Sequence, residues 1–313
     1  MLGYLLKRIL HGIPVILVVA TLTFLIMRVV PGGPFDRDKK LPPEIVANIE
    51  AKYHLDRPVL EQYLLYLGQA VQGDLGPSYK YVGRNVSDIL AETFPVSLTL
   101  GLCAVLVTLG LGIPAGVISA ARRDTGIDRA CIFLATLGIS LPSFVMGTLL
   151  ILLFSHKWHL LPPALWEGPK YVLMPAFALG AGFAGYIARL LRSNLLEVLS
   201  ADYIRTARAK GLKERTVVLK HAFINAVSPV ISVMGPLTAG LVVGSFVIEY
   251  IFSIPGMGNY FITAVTNRDY PLIMGVTLVY AVLIVLANIA VDLIYMMIDP
   301  RVRLSETSGR RGG

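Results

Sequence analysis

Side chains that commonly do chemistry are sparse in this chain, and few of them stand in a productive pattern. His156 and His159 lie about one helical turn apart, a spacing that allows two imidazoles to share one metal ion. No Glu stands beside them and no third ligand is evident, so we predict an interfacial pair and no metal site. The phosphate-binding sequence Gly-Lys-Ser/Thr is also absent, so ATP-driven work by this chain would require another chain to hydrolyse the ATP.

Three polar residues interrupt otherwise apolar stretches, namely Glu249, Asn288 and Asp292. A charge placed in the middle of a bilayer costs about 3 kcal/mol on insertion scales, so such residues need a reason to be there. Asp292 follows Asn288 by one helical turn and shares its helix face. Two interpretations stay open: these side chains hold a helix bundle together by hydrogen bonds, or they form the wall of a path for a substrate.

A polar loop at residues 200–225 separates two long apolar stretches and carries much of the positive charge of the chain. Asp202 opens a run of good helix formers, where a carboxylate suits the positive end of a helix. Lys210 ends that run, and Gly211 follows where a left-handed residue closes a helix. A second short helix is predicted from about Lys213 to Ala222. The small residues Ala207, Ala209 and Gly211 would leave one helix face without bulky side chains, so that a cleft in a soluble partner could close over it.

The basic residues of this region have a second explanation, since the cytosolic loops of membrane proteins are generally rich in Lys and Arg. The residues concerned are Arg189, Arg192, Arg205, Arg208, Lys210, Lys213, Arg215 and Lys220. The ordered helix–glycine–helix pattern favours a docking surface for a partner over a basic loop without a specific role.

The composition indicates an integral membrane protein that would position this loop. The chain has 313 residues, of which 55% are hydrophobic and 15% charged. Soluble domains carry about 25% charged residues. The formal net charge is +8, but the charges fall in loops between apolar stretches and show no aromatic–basic pattern, which argues against nucleic-acid binding.

Six stretches are long enough to cross a hydrocarbon core of about 30 Å, and backbone groups in lipid must be satisfied within a helix. The predicted spans are 4–30, 94–120, 131–154, 171–191, 226–252 and 272–298. Within them, Gly112 with Gly116 and Gly240 with Gly244 provide small faces for close helix packing. Pro114, Pro142, Pro229 and Pro236 are candidate flexing points or static kinks. The fold class predicted is all-α with six membrane-spanning helices.

The segment 31–93 is predicted to be an ordered helical segment outside the membrane. One helix is expected from Pro42 to Tyr53. A second is expected to be capped at Asp56, with Pro58 in its first turn, and to end near Val71.

Lys and Arg predict the orientation. They are concentrated at both termini, in 121–129 and in 189–225, whereas the short loops on the other side contain only Lys157, Lys170 and Arg268. Both termini and the loop 200–225 are therefore expected to be cytoplasmic, and 31–93 external. Arg28, near the end of the first span, is expected to extend to the outer surface, with a role in a pore as the alternative.

Several stretches resemble the ABC importer permease family, in its peptide and nickel branch. They include Arg205-Thr-Ala-Arg-Ala-Lys-Gly211-Leu, His221-Ala-Phe-Ile-Asn225-Ala, Gly73-Asp-Leu-Gly-Pro-Ser78, Leu141-Pro-Ser-Phe144, Gly244-Ser-Phe-Val-Ile-Glu249, Ile254-Pro-Gly-Met-Gly258, Asn267-Arg-Asp-Tyr270 and Asp299-Pro-Arg301. The general signature of the superfamily, Glu-Ala-Ala-x-x-x-Gly, is met only in part. Arg205 and Thr206 replace its first two residues, while Ala207 and Gly211 match, a departure typical of the peptide branch.

The resemblance implies a type I importer permease in a bacterial inner membrane. It implies pairing with a second homologous permease, two cytosolic ATPase subunits that bind ATP and Mg, and an extracytoplasmic peptide-binding protein. The residues that it assigns to contact with the ATPase are Asp202, Tyr203, Arg205, Thr206, Ala207, Arg208, Ala209, Lys210, Gly211 and Leu212. The cargo that it favours is an oligopeptide, with dipeptides, glutathione, opines or nickel as alternatives in the same family.

Two other functional classes stay open at this point. A channel or receptor without energy coupling would have no stable ATPase partner. A membrane-embedded enzyme would turn over its substrate without partners, although the sequence shows no catalytic constellation for it.

Overall fold

The structure is a computed structural model that describes residues 2–30, 56–242 and 246–298, and these residues are predominantly helical. In chain order the helices are α1 (Leu2–Val29), α2 (Val59–Val71), α3 (Val86–Ala121), α4 (Gly126–Ser140), α5 (Ser143–Leu150), α6 (Pro169–Leu199), α7 (Asp202–Ala209), α8 (Glu214–Thr216), α9 (Phe223–Ala226), α10 (Ser228–Val242), α11 (Phe246–Ile251), α12 (Met257–Asn267) and α13 (Tyr270–Ile298). Two π-helical segments, Ile151–Lys157 and Val217–Ala222, continue α5 and α8. The β-structure in the described ranges is a single isolated bridge between Pro77 and Asn85.

Five helices in the described part of the chain are long and apolar enough to cross a membrane. They are Arg8–Val29, Val86–Ala121, Pro169–Leu199, Ser228–Ile251 and Tyr270–Ala290, with residues 243–245 of the fourth outside the description. A sixth crossing arises if α4 and α5 with its π-helical continuation form one broken span. The all-α membrane fold predicted from hydropathy is thus present. It differs from the prediction at one pair of helices, α4 and α5.

The predicted span 131–154 falls within a broken helix pair. The helix starts earlier, at Gly126, and breaks between Ser140 and Ser143 with a bend of 107°. Leu141 has an extended backbone, with φ −88° and ψ 120°, because the ring of Pro142 disfavours the α-helical conformation for the residue before it. Hydropathy alone detects the apolar stretch but carries no information about this bend.

The residues divide into two compact units, which we describe separately. The first comprises Met1–Ser97 with Pro255–Val285, and the second comprises Leu98–Ile254 with Leu286–Gly313.

In the first unit, α1 packs against α2 through the rings of Phe24 and Tyr63, whose centroids lie 4.9 Å apart. Helix α2 ends at Val71 as predicted, but it begins at Val59 with Pro58 as its N-cap residue, two residues after the expected cap at Asp56. The predicted helix from Pro42 to Tyr53 lies outside the described residues.

A buried carboxylate holds the first unit together near residue 269. Asp269 is fully buried and accepts hydrogen bonds from the backbone N–H of Tyr79 at 3.1 Å and of Lys80 at 3.3 Å. The hydroxyl of Ser78 donates to the same carboxylate. Asp269 follows α12 and the left-handed residue Arg268, in the stretch between two predicted spans.

In the second unit, α6 packs closely against α4 and α3 through glycines. A Cβ atom added at Gly185 would lie 2.3 Å from the backbone oxygen of Ala135 on α4. One added at Gly112 on α3 would lie 2.8 Å from the oxygen of Ala184, and Gly116 has the same distance to the oxygen of Ala188. The predicted close-packing face at Gly112 and Gly116 is thus confirmed.

The corresponding prediction for Gly240 finds no close contact among the described residues of this chain, since a Cβ atom added there would meet nothing within 4 Å. Gly244 lies outside the described residues.

We expect Gly185→Ala to destabilise the chain by about 1–3 kcal/mol, since overpacking a close contact forces backbone shifts. The control is Gly110→Ala on α3, where an added Cβ meets nothing within 4 Å. That change should be neutral or stabilising, because Ala exceeds Gly in helix propensity by about 1 kcal/mol. Thermal unfolding of the purified chain in detergent measures both, and equal midpoints for the two variants would contradict the packing described here.

Candidate functional site

The candidate site is the helix–turn–helix at 202–226 in the second unit. Helix α7 starts at Asp202, whose carboxylate lies in the first turn, and Thr206 donates a hydrogen bond from its hydroxyl to the backbone oxygen of Asp202 at 3.1 Å. The helix ends at Ala209, and Gly211 follows with φ +78°. This left-handed residue matches the prediction, and its N–H donates to the oxygen of Arg208 at 2.9 Å.

One face of α7 is buried against the π-helical segment Val217–Ala222. Ile204 is fully buried and Ala207 is 7% exposed, and they lie three residues apart on the same side of the helix. Val217 and Ala222 are fully buried opposite them. The packing of these apolar side chains fixes the angle between the two short helices.

The prediction that Ala207 lies on a low, open face is therefore wrong. Its side chain faces the interior of the helix pair because a helix of two turns must bury the stripe that Ile204 begins. Ala209 and Gly211 are exposed, as predicted.

Two polar links close the helix pair at its edges. The guanidinium of Arg208 donates two hydrogen bonds to Glu214, at 3.1 and 2.7 Å. The amide of Asn225 donates to the hydroxyl of Tyr203 at 2.8 Å. The hydrogen bonds from Arg208 hold the pKa of Glu214 below its usual range, so their contribution is present above that range and is lost as the pH falls through it. Since both side chains are exposed, this contribution is below about 1 kcal/mol.

The second helix differs from its predicted bounds. It begins at Glu214, with Lys213 as the N-cap residue, and continues through the π-helical segment and α9 to Ala226. Helix α10 follows at Ser228. A π-helical turn shifts the side chains by one position and often marks a functional site. Sequence propensity gives no signal for it.

The surface of the helix pair presents most of the predicted contact residues to solvent. Apart from Ala207, the other nine are exposed: Asp202, Tyr203, Arg205, Thr206, Arg208, Ala209, Lys210, Gly211 and Leu212. The pair therefore forms a small ordered projection with cationic side chains on its rim. Its shape allows insertion into a cleft, and its chemistry offers no catalytic group.

A buried ion pair that the sequence analysis missed lies at the base of this projection. The guanidinium of Arg192, on α6, donates from Nε and from one terminal nitrogen to the two oxygens of Asp128, on α4, each at 2.8 Å. The hydroxyl of Ser119 and the N–H of Asp124 also donate to Asp128. The side chains of Asp128 and Arg192 are 3% and 23% exposed. These bonds tie the start of α4 to the end of α6.

A sequence signal for Asp128 did exist. Thr125 caps α4 and accepts a hydrogen bond from the N–H of Asp128, so Thr125-Gly-Ile-Asp128 is a Thr-x-x-Asp pattern at a helix start. Such patterns predict where a helix begins. They do not predict that the Asp side chain is buried or which Arg binds it.

The structure places the polar residues of the apolar stretches on two helices. Glu249 lies on α11 and is fully buried, whereas Asn288 lies on α13 and is partly exposed. The side chain of Asp292 lies outside the description, although its backbone belongs to α13. Burial of Glu249 is compatible with both interpretations, a bundle contact or a path wall.

The histidine pair occupies the end of the π-helical segment Ile151–Lys157 and the residues after it. His159 has φ +51°, and its Nδ1 lies 2.9 Å from the backbone oxygen of Ser155. Within the ranges that the structure covers, no group of three or more His, Cys, Asp or Glu side chains could hold a metal ion.

Comparison with known families decides between the classes that the geometry allows. Residues 112–304 match the family described as binding-protein-dependent transport system inner membrane component, and residues 1–101 match its N-terminal membrane component. The chain belongs to this family. The description is that of a transport component, which favours the transport interpretation over a receptor or a membrane-embedded enzyme.

Curated relatives match this family member over almost its whole length. The dipeptide transport system permease protein DppB of Bacillus subtilis (strain 168) is 46% identical over 304 residues, covering 97% of this chain and 99% of the relative. The oligopeptide transport system permease protein OppB of Escherichia coli (strain K12) is 44% identical over 305 residues, covering 97% of this chain and all of the relative.

Solved structures support the fold. An inward-facing conformation of the MetNI methionine ABC transporter matches with a TM-score of 0.58 and 17% identity, over 67% of this chain and 96% of that one. An amino acid ABC transporter matches with a TM-score of 0.53 and 15% identity, over 67% and 94%. The predicted fold, that of a type I ABC importer permease, is confirmed.

Proposed function

We propose that this chain is the permease subunit of an ATP-binding-cassette importer and forms half of the translocation path for oligopeptides. Separate cytosolic ATPase subunits would bind ATP and Mg and drive the permease through residues 200–225. The observation that carries this proposal is the ordered projection at 202–226. Its two short helices are held together by Ile204 and Ala207, which are buried between α7 and the π-helical segment Val217–Ala222. A rigid projection can transmit a displacement, whereas a flexible basic loop cannot.

The path of that displacement follows from the contacts of the second unit. The projection continues into α10 on one side and follows α6 on the other. Helix α6 is bound to α4 by the Asp128–Arg192 ion pair and by the close contact at Gly185. A shift of the projection would therefore move these helices together, and they would open or close the path by rigid-body motion.

The assignment of partners and orientation rests on the family and on charge. A binding-protein-dependent system implies an extracytoplasmic binding protein, and half of a path implies a second homologous permease. The basic termini and the basic projection favour the cytoplasmic side for all three. The membrane lipid is a further partner, and no nucleic acid is involved. Glu249, Asn288 and Asp292 are candidates for the path wall or for bundle contacts.

Dipeptides are the second candidate cargo. The relative from Bacillus subtilis is a dipeptide transport permease at 46% identity, and the relative from Escherichia coli is an oligopeptide transport permease at 44%. This small difference in identity does not separate the two cargoes. Selection by length would lie mainly with the binding protein, so the permease need only admit both.

The test is cross-linking followed by transport. With Cys103 and Cys131 replaced, a cysteine at the exposed Lys210 that carries a short photoactivatable cross-linker should become linked to a copurifying ATPase subunit. A cysteine at Val82, which is 95% exposed in the first unit, is the matched control and should form no such link. Because the ATPase is cytosolic, the cross-link also reports the orientation.

The purified assembly in vesicles should then accumulate peptides only when ATP is supplied. A series of peptides from two to about six residues in length would distinguish dipeptides from oligopeptides as the cargo. Cross-linking at Val82 instead of Lys210 would refute the assigned docking surface. Peptide flux through the chain without any ATPase would refute the importer itself.

A further inference from the structure

A cavity of about 360 Å³ lies in the first unit, at the end of α1 that leads toward α2. One part of its wall is apolar and includes Phe24, Met27 and Met274. The other part is polar and comprises Arg28, Arg57, Gln62, Tyr66, Gln69 and Tyr79. None of the candidate path residues and no residue of the projection at 202–226 lines this cavity.

Arg28 gives the cavity its charge. Its guanidinium stacks on the ring of Phe24, with the central carbon 3.5 Å from the ring centroid, and one terminal nitrogen donates to the side-chain oxygen of Gln62. No Asp or Glu in the described part of the chain forms an ion pair with Arg28, whereas the neighbouring Arg57 is paired with Glu61 at 2.7 Å. Arg28, which was expected to extend to the outer surface, is half-buried, and these contacts hold its side chain in the cavity wall.

Tyr66 supplies a second unused polar group in the same wall. Its hydroxyl oxygen is buried and has no hydrogen-bond partner among the residues that the structure describes. Burial raises the pKa of this hydroxyl, so it is a neutral donor at physiological pH. A buried donor without an acceptor is costly, and an acceptor brought by a ligand would relieve that cost. Among the residues that the structure describes, a cation without an acidic partner therefore lines this cavity, and a donor without an acceptor lies within its wall. An oxyanion that entered this wall would satisfy both.

The position of Arg28 indicates where that oxyanion comes from. Arg28 lies in the last turn of α1, a helix apolar enough to cross a membrane. Preceding side chains such as Leu22, Leu25 and Ile26 are exposed, as lipid-facing residues would be. The end of such a helix lies at the level of the lipid headgroups.

We propose that this cavity binds the headgroup of an anionic phospholipid. The phosphate oxygens would accept hydrogen bonds from the guanidinium of Arg28 and from the hydroxyl of Tyr66. Arg suits this role because its planar fork matches the geometry of phosphate oxygens. The apolar wall at Phe24 and Met27 would contact the glycerol and the start of the acyl chains. A soluble anion would use the polar wall alone, which is why the mixed wall favours a lipid.

The experiment titrates the purified full-length chain in detergent with phosphatidylglycerol and measures bound lipid by native mass spectrometry. We expect Arg28→Gln to reduce retention of phosphatidylglycerol by about tenfold, since a charge-assisted bidentate contact is lost. Arg84→Gln is the matched control, because it removes a cation from the same unit that is already paired with Glu92. Its retention should equal that of the unmodified chain.

Tyr66→Phe keeps the proposal testable even if Arg28→Gln fails to fold. Removal of a hydroxyl that lacks a partner should leave the thermal midpoint without lipid unchanged or higher, while retention of phosphatidylglycerol falls. Equal retention by Tyr66→Phe and the unmodified chain would overturn the proposal, as would equal retention by a folded Arg28→Gln. Inorganic phosphate in the same titration distinguishes a lipid headgroup from a soluble anion as the occupant of the cavity. Displacement of the lipid by millimolar phosphate alone would show that the cavity takes a soluble anion, which would also overturn it.

Discussion

Gly211→Val should abolish ATP-dependent peptide accumulation while leaving the chain inserted in the membrane. Gly211 has φ +78°, and a residue with a Cβ atom in this left-handed region costs about 1–2 kcal/mol, with β-branched residues at the upper end. No atom lies within 4 Å of the position that the Cβ would occupy, so the effect does not come from a clash inside the chain. The strain would change the direction of Leu212 and of the start of α8, and the added bulk would lie on the surface at which we propose that the ATPase docks.

The measurement compares ATPase copurification and peptide uptake in vesicles for matched variants. Gly83→Val introduces the same strain, at φ +79° and in equally open space, but in the first unit. It should retain both ATPase binding and uptake. Lys213→Ala tests a single exposed side chain next to the turn and should cost little. Full uptake by Gly211→Val, or an equal loss in Gly83→Val, would show that the turn at 211 does not transmit the motion.

Asp128→Ala should lower the free energy of unfolding of the second unit by about 1–3 kcal/mol, because its removal leaves the partly buried guanidinium of Arg192 without its acceptor. Arg192 would lose two hydrogen bonds of 2.8 Å, and the N–H of Asp124 would lose its acceptor. The unmodified chain should be compared with the variant by thermal unfolding in detergent. The expected result is a lower midpoint and weaker coupling between α4 and α6.

Glu214→Ala is the control for this prediction. It also breaks a pair in which Arg donates two hydrogen bonds to a carboxylate, but both side chains are exposed, and the expected cost is below about 1 kcal/mol. A second variant replaces the whole buried pair, as Asp128→Leu with Arg192→Met, and should recover much of the lost stability. If Asp128→Ala and Glu214→Ala shift the midpoint equally, burial does not determine the strength of the Asp128–Arg192 pair.

The features that could be predicted from the sequence are those encoded by local pattern. The long apolar stretches around α1, α3, α6 and α13 follow from length and hydropathy, since backbone groups in lipid must be satisfied within a helix. The left-handed turn at Gly211 follows from a run of helix formers with a glycine after it. The exposure of Arg205 and Lys210 follows from their charge.

Features that depend on contacts distant in sequence could not be predicted. The burial of Ala207 is decided by Val217 and Ala222, which pack over it. Asp128 is buried because Arg192, 64 residues later, lies against it. Asp269 is buried because residues 78–80, about 190 positions earlier in the chain, surround it and donate hydrogen bonds to it. Helix-capping patterns and charge identify such residues only as polar, so their burial requires the structure.

The broken helix pair around Pro142 has a consequence for biosynthesis. Helix α4 has 15 residues and is therefore about 22 Å long, which is shorter than a hydrocarbon core of about 30 Å. Neither half of the pair could anchor alone, so the nascent chain must insert residues 126–157 as one unit. The contacts that hold α4 in place come from α6, at Gly185 and Arg192, and these leave the ribosome later. We therefore expect the bend to be completed only after α6 has entered the membrane. Maturation of this subunit would then depend on the insertion of α6.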